Sequence, residues 1–218
     1  MKKYKIIYDD QDLLVVCKFA GLAVQSARVS TPDLMSLLRN EMLERGEKKP
    51  YLGLVNRLDQ PVEGIVLIGK NEKAAADLSR QVTDHIHMEK WYQTVVCGKP
   101  EQREDTLVDY LLKDSRTNTS KVVKEGTPGS KRSELHYEVL ASDGEKTLLR
   151  IRLLTGRHHQ IRVQLSHAGL PICGDAKYGK AGGPLCLCAY KVIFSHPCTG
   201  KRMEFEVNPT FPVPSTAL

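Results

Sequence analysis

The chain has 218 residues, long enough to bury a substantial core. At 41% hydrophobic and 27% charged residues it has the composition of a globular protein, which excludes a disordered chain. The net charge of +6 favours anionic partners such as nucleic acid. The opening MKKYKIIYDDQDLL is interrupted by Asp9, Asp10 and Asp12, so it does not read as a signal peptide. No segment has the roughly 20 apolar residues of a membrane span. The six cysteines form no CxxC pair and no disulfide framework. Cys186 and Cys188 alternate within LCLCAY and read as buried thiols rather than metal ligands. Free thiols point to a reducing compartment, the cytoplasm.

In chain order, Ile6 to Val16 reads as strand, acidic turn and strand. Thr31-Pro32 looks like a helix start, with Thr31 as N-cap; Leu34, Leu37, Leu38, Met42 and Leu43 then recur at helical spacing to Arg45, and Gly46 stops them. Ile65 to Ile68 is a short buried strand, and Asn71 caps a second helix carrying Ala74, Ala75, Leu78 and Val82. Tyr92 to Val96 is strand, closed by Gly98. Residues 113 to 133 are basic and poor in large apolar groups, a loop or an exposed ribbon. Leu135, Tyr137 and Val139 alternate with polar residues, and a Ser-Asp-Gly turn at 142 to 144 joins them to a partner strand through Leu149, Ile151 and Leu153. Residues 158 to 168 read as a helix with Ile161, Leu165 and Ala168 on its apolar side. Tyr190 to Phe194 and Met203 to Val207 make a last strand pair. Strands dominate, so the expected class is α+β with a large, mixed and mostly antiparallel sheet flanked by helices, in a single catalytic domain over residues 1–218.

Two clusters could carry chemistry. Asp59, in NRLDQPVEG, precedes Pro61 and Gly64 and so lies on a turn leading into a buried strand; Arg57 is two residues earlier. Taken alone, an Asp beside an Arg is as compatible with a surface ion pair. TGRHHQIR, residues 155 to 162, places two arginines and two histidines between a strand and a helix, where they could hold an anion or be solvated. His158 and His159 are adjacent, which is poor spacing for a shared metal.

Both clusters sit in longer segments that resemble the RluA-type pseudouridine synthases. NRLDQPVEGIVLIGKNEKAAADLSRQ is similar to that family's HRLDxxTSGLLLxAK motif with its following helix. LLRIRLLTGRHHQIRVQLSHAGLPICGDAKYG resembles its xTGRxHQIRVHLxxxGxPixGDxxYG segment. YDDQDLLVVCKFAGLAV, EKWYQTVVCG and CAYKVIFSHPCTGKRMEFEV are similar to its opening, central and closing strands, in the same order, over residues 4 to 211. The resemblance implies an RNA isomerase with the pseudouridine synthase fold and no cofactor or metal. It implies Asp59 as nucleophile, Tyr92 stacked on the target base and taking part in proton removal at C5, and Arg162 paired with Asp59. It implies Arg57 in holding the RNA with the base flipped out, and Gly156, Arg157, His159 and Gln160 as structural or RNA-facing; Asn56, beside Arg57, is a further substrate-binding candidate.

The match departs at Asn56 (usually His), Val62-Glu63 (usually Thr-Ser), Phe19 (usually Pro), His158 and Gln164, which bears on substrate choice. The N-terminal S4-type RNA-binding module that often accompanies the family is expected to be absent. The domain itself would then grip RNA, with Lys113, Arg116, Lys121, Lys124, Lys131 and Arg132 as candidates. The expected substrate is ribosomal or transfer RNA, with no membrane and no obligate protein partner. Two other readings stand beside this one: a catalytically silent RNA-binding protein of the same fold, and, more weakly, a glycosidase, which would need two paired carboxylates where only Glu63 neighbours Asp59 in sequence.

Overall fold

A computed structural model describes residues 2–26, 31–84 and 87–215. The described residues form eleven strands and three helices, the α+β class expected. By contacts the chain divides into two compact units, one of residues 1–89 and 189–208 and one of residues 90–188 and 209–218.

The first unit opens with β1 (Tyr4–Asp9) and β2 (Leu13–Lys18), an antiparallel hairpin, and β2 pairs in turn with β4 (Glu63–Gly69), onto which the short β3 (Gly53–Leu54) also pairs. Late in the chain β10 (Leu187–Ser195) and β11 (Arg202–Glu206) form a second hairpin. β4 is buried along its whole length, which is why Ile65 to Ile68 reads as a continuous apolar run rather than an alternating one. Leu13, Val15, Ile65, Leu67, Leu78, Met88, Val192 and Phe194 make one core cluster. Helix α1 (Leu34–Glu44) presents Leu34, Leu38 and Met42 inward. Its N-cap is Asp33, not Thr31. The Asp33 carboxylate accepts from Ser36 N at 2.8 Å while Ser36 Oγ accepts from Asp33 N at 3.0 Å, a reciprocal pair that a threonine two residues upstream cannot make. Asn71 caps α2 (Glu72–Asp84) as expected, accepting from Ala74 N at 2.9 Å.

The turn between β1 and β2 is pinned by Asp10. It accepts from Tyr8 Oη, Asp12 N and Leu13 N at 2.7–2.9 Å and is bonded to His196 Nε2 at 3.0 Å. Burial alone would raise this carboxyl, but those hydrogen bonds outweigh it and hold it at about 2. Asp10, Asp12 and His196 are close enough to share a cation. Their atoms are spent otherwise: His196 Nδ1 accepts from Cys198 N and Thr199 N, and Asp12 accepts from Asn71. The group is a structural clasp.

The second unit is a run of antiparallel strands ordered β5 (Glu89–Cys97), β9 (Lys146–Leu153), β8 (Lys131–Ser142), β6 (Glu104–Asp114) and β7 (Thr119–Val123). Residues 113 to 133 are therefore mostly an exposed ribbon, built by the end of β6, β7 and the start of β8. The amino-acid pattern gives no clear sign of β6, because its charged residues interrupt the apolar ones and most of it is exposed. Helix α3 (Gln160–His167) begins two residues later than its periodicity suggests, with His159 as N-cap in a left-handed conformation (φ 54°). Gln160 to Leu165 are all buried, so the first six residues of α3 have no solvent-facing side. Its glutamines serve as fasteners: Gln164 Nε2 donates to Leu107 O and Asp109 Oδ2, and Gln160 Nε2 donates to Glu134 O and Gln164 Oε1.

Gly64 starts β4 at φ +125°, and a Cβ there would lie 2.4 Å from Ala189 O. Left-handed strain and a backbone clash add, so Gly64→Ala should lower stability by about 2 kcal/mol or more in urea unfolding. A variant as stable as the wild type would show that the strand start is not constrained.

Candidate active site

The loop between β3 and β4 carries Asn56 to Val62. Asn56 is bracketed against β4: its Nδ2 donates to Ile65 O at 3.1 Å and its Oδ1 accepts from Leu67 N at 2.8 Å. The side chain thus substitutes for a stretch of strand pairing, and these bonds serve the loop's shape. Leu58 and Val62 are buried on either side of half-buried Asp59, and Asp59 O accepts from Val62 N at 3.0 Å to close the turn. Arg57 is exposed.

Beneath this turn lies Lys18, which precedes the Phe19 departure in the opening segment and to which the resemblance assigns no role. The last residue of β2, it is fully buried, and its Nζ donates to Leu22 O at 2.8 Å and to Phe19 O and Gln60 O at 3.2 Å. Gln60 O also accepts from Gly21 N at 2.9 Å, and Gln60 Nε2 returns a bond to Gly21 O. One ammonium and one glutamine therefore tie the 19–22 loop to the Asp59 turn. Burial pushes the Lys18 ammonium down to about 8, against the pull of the Asp59 and Glu63 carboxylates. Glu63 is buried and its charge acts on Lys18 and Cys17, so this departure from the family pattern belongs to the support of the turn.

In the second unit Tyr92 is buried on β5, on the same face as Thr94 and opposite Ile151 in register. Arg162, on α3, is buried and forks onto Asp175: Nε to Oδ2 at 2.8 Å and Nη2 to Oδ1 at 2.7 Å. Asp175 also accepts from Lys177 N and Tyr178 N. Burial would raise the Asp175 carboxyl, but the Arg162 bonds and charge and the two backbone N–H groups lower it. The guanidinium lies 5.2 Å from the ring centre of Tyr178. Tyr178 Oη accepts from Ser120 N and bonds His159 Nδ1, both at 2.7 Å. His158 stacks on His159 at 3.7 Å between centroids and bonds Ser120 Oγ at 2.9 Å and Asn118 Oδ1 at 3.1 Å. Lys177 Nζ reaches Asn118 O at 2.7 Å. The TGRHHQ and GDAKYG segments thus close on one another and clasp the β6–β7 turn.

Of the remaining expected residues, Gln160 is buried; its Oε1 accepts from Thr155 Oγ1 and Arg157 N, which shapes the entry to α3. Arg157 is exposed and donates from Nε to Arg132 O. Lys113, Arg116, Lys121, Lys124, Lys131 and Arg132 are all solvent-facing or partly so along the ribbon. They do not share one face. The register puts Lys121 and Arg132 with Tyr110 on one side of the ribbon, and Lys113 and Lys131 with Leu111 and Ser120 on the other. Arg132 is paired with Glu134. Asp175 and Tyr178 give no local sign of their role, although the GDxxYG spacing is visible: in a sequence an aspartate after glycine reads as a turn, and only coordinates pair it with Arg162. The turn needs that glycine, since Gly174 has φ +77° and a Cβ there would meet Pro184 O at 2.0 Å.

The first unit thus holds a half-buried carboxylate on a braced turn, a group type able to act as a nucleophile, and the second unit holds a buried aromatic ring and a guanidinium fixed by a carboxylate. Residues 12–167 match the family model described as RNA pseudouridylate synthase. The uncharacterized RNA pseudouridine synthase YlyB of Bacillus subtilis is 32% identical over 92% of this chain and 67% of its own length. Ribosomal large subunit pseudouridine synthase D of Zymomonas mobilis is 31% identical over 94% of this chain and 68% of its own. The solved structure of human RNA pseudouridylate synthase domain containing 4 shares the fold, with a TM-score of 0.79, 20% identity, and coverage of 94% of this chain and 88% of that one. The chain belongs to the RNA pseudouridylate synthase family, the isomerases that convert uridine in RNA to pseudouridine.

Asp175→Asn keeps the shape but removes the charge opposite buried Arg162. Uncompensated buried charges cost about 3–5 kcal/mol, so unfolding experiments should show a loss of that order. An Asp175→Asn protein of unchanged stability would show that Arg162 does not depend on this partner.

Proposed function

We propose that this protein isomerises a uridine of large-subunit ribosomal RNA, with Asp59 as the nucleophile. The observation that carries the reading is the bracing of the Asp59 turn. Lys18, Asn56 and Gln60 are committed to holding the backbone on either side of one half-buried carboxylate. Investment of buried polar groups around a loop aspartate is what a fixed nucleophile requires. The ribosomal assignment follows relatives named as large-subunit enzymes, in preference to transfer RNA.

In the proposed reaction the Asp59 carboxylate adds to the target nucleotide, at the sugar or at the base. The N1–C1′ bond breaks, the uracil turns, and a C5–C1′ bond forms. The proton on C5 leaves with the participation of Tyr92, N1 gains a proton, and the carboxylate is released, so atoms balance without a co-reactant. Arg162, fixed in plane by Asp175, orients Asp59 and offsets its desolvation. The target base must leave its stack, and Tyr92 supplies an aromatic platform for it. Because Asp59 belongs to the first unit and Tyr92 and Arg162 to the second, and the family match runs through both, we take the two units to work as one catalytic domain. Among the described residues no helix is long and apolar enough to cross a membrane. The free thiols agree with work in the cytoplasm. Arg57, Arg157 and the ribbon lysines supply phosphate contacts, with His158 keeping the ribbon in place.

The test is to map pseudouridine in mixed cellular RNA treated with wild type and with Asp59→Ala. Sites present with wild type and absent with the variant support the proposal and name the substrate; RNA binding without any conversion by the wild type would favour a silent binder. Replacing Lys113, Lys121, Lys124 and Lys131 by glutamine should flatten the log–log salt dependence of RNA binding, by about 0.7 for each single-strand phosphate that is no longer neutralised. An unchanged slope would remove the ribbon from the RNA interface.

A further inference from the structure

The first unit carries a groove outside the residues discussed above, where the C-terminal half of α1 meets the segment leading into β3. It has a volume of about 450 Å³ and is lined by Arg39, Leu43, Lys48, Lys49, Pro50 and Tyr51 among others. That volume lies within the usual range for ligand sites, although the groove is open. Two features bear on what it could bind.

The first is its unpaired charge. Several basic residues elsewhere in this unit meet carboxylates, among them Arg45, Arg80, Arg202, Lys2, Lys70 and Lys191. Arg39, Lys48 and Lys49 meet none among the described residues, and no carboxylate lines the groove. Glu44 and Glu47 belong to the same turn but lie outside it. The second is its apolar exposure. Four large hydrophobic side chains are markedly exposed among the described residues, and two of them, Leu43 at 47% and Tyr51 at 41%, lie here. The Tyr51 ring is not adrift. It folds back over Gly53, where an added Cβ would come within 3.0 Å of its Cε1 and 3.2 Å of its Oη. A flat ring over glycine, 41% exposed and sharing its groove with three cations that meet no carboxylate among the described residues, suits base stacking beside phosphate contacts.

We propose that this groove is an accessory binding surface for single-stranded RNA, in which one base stacks on Tyr51 and the adjoining phosphates meet Arg39, Lys48 and Lys49. Base–aromatic stacking tolerates any sequence, and lysine and arginine track the backbone without reading it. The surface would therefore hold a strand that flanks the target uridine rather than select the target. An acidic peptide would use the cations but would not call for the open ring. The inference rests on RNA being the substrate, but not on Asp59 being the nucleophile.

The test measures binding of a fluorescent single-stranded oligouridylate of about 12 nucleotides to the full chain across a salt series. Combined Arg39→Gln, Lys48→Gln and Lys49→Gln should weaken binding and flatten the log–log salt slope by about 2, the counterions of three phosphates. Tyr51→Ala should weaken binding by about tenfold without altering the slope, and Tyr51→Phe should retain it. Turnover at saturating RNA should stay at the wild-type level in all of them, and thermal melting would confirm that Tyr51→Ala is folded. Wild-type affinity and slope in the triple variant would overturn the proposal, as would equal losses in Tyr51→Ala and Tyr51→Phe. Should the wild type convert no uridine yet bind the oligonucleotide through these residues, this inference would stand while the proposed catalytic activity fell.

Discussion

Lys18 is the buried anchor on which the Asp59 turn of the first unit depends. An ammonium with no solvent exposure must replace its water shell with protein acceptors, and here three backbone carbonyls do so. Two of those carbonyls belong to the loop after β2 and the third follows Asp59 directly. The desolvation that lowers the ammonium is thus offset by the contacts that fix the turn, and the Asp59 and Glu63 carboxylates supply opposite charge close by. Remove the cation and the Gln60–Gly21 bonds are left to tie the 19–22 loop to the Asp59 turn, while Phe19 O and Leu22 O lose this donor.

The second unit solves the same problem with a different pair. Arg162 is held by both oxygens of Asp175, which is itself anchored by two backbone N–H groups, and Tyr178 closes over the guanidinium. The planar fork of arginine makes this a one-orientation arrangement, which lysine would not give. From Tyr178 the bonds run outward through His159, Ser120, His158 and Asn118 to the turn of the basic ribbon. Bonds therefore connect the buried residue assigned to catalysis with the surface assigned to RNA.

The sequence makes much of this legible, and its blind spots have physical causes. Strands with strict alternation, such as Leu135 to Val139, and fully buried runs, such as Ile65 to Ile68, declare themselves through burial. Capping is ambiguous because Thr31, Pro32 and Asp33 are all good start signals, and only the reciprocal Asp33–Ser36 bonds decide among them. α3 is legible as a helix but not as a buried one, since Gln160, Arg162 and Gln164 read as polar until their partners are known. Catalytic candidates stand out through motif order, whereas Lys18, Asp175 and Tyr178 lie within motif segments but act through long-range contacts whose partners no local pattern names. Asn56, a departure from the family motif near the site, makes backbone-like bonds to β4.

A buried ammonium organises the turn that carries the proposed nucleophile, and the pH dependence of stability tests this most directly. A free lysine titrates near 10.4 and Lys18 near 8, so between those values the unfolded chain holds a proton that the folded chain has released. This group's contribution to folding stability should therefore rise as pH climbs from about 8 to about 10.4. Urea unfolding of wild type and Lys18→Met across that range should show the rise in the wild type alone, with pseudouridine formation lost in the variant while RNA is still bound. Parallel pH profiles, or a Lys18→Met protein with full activity, would contradict the account.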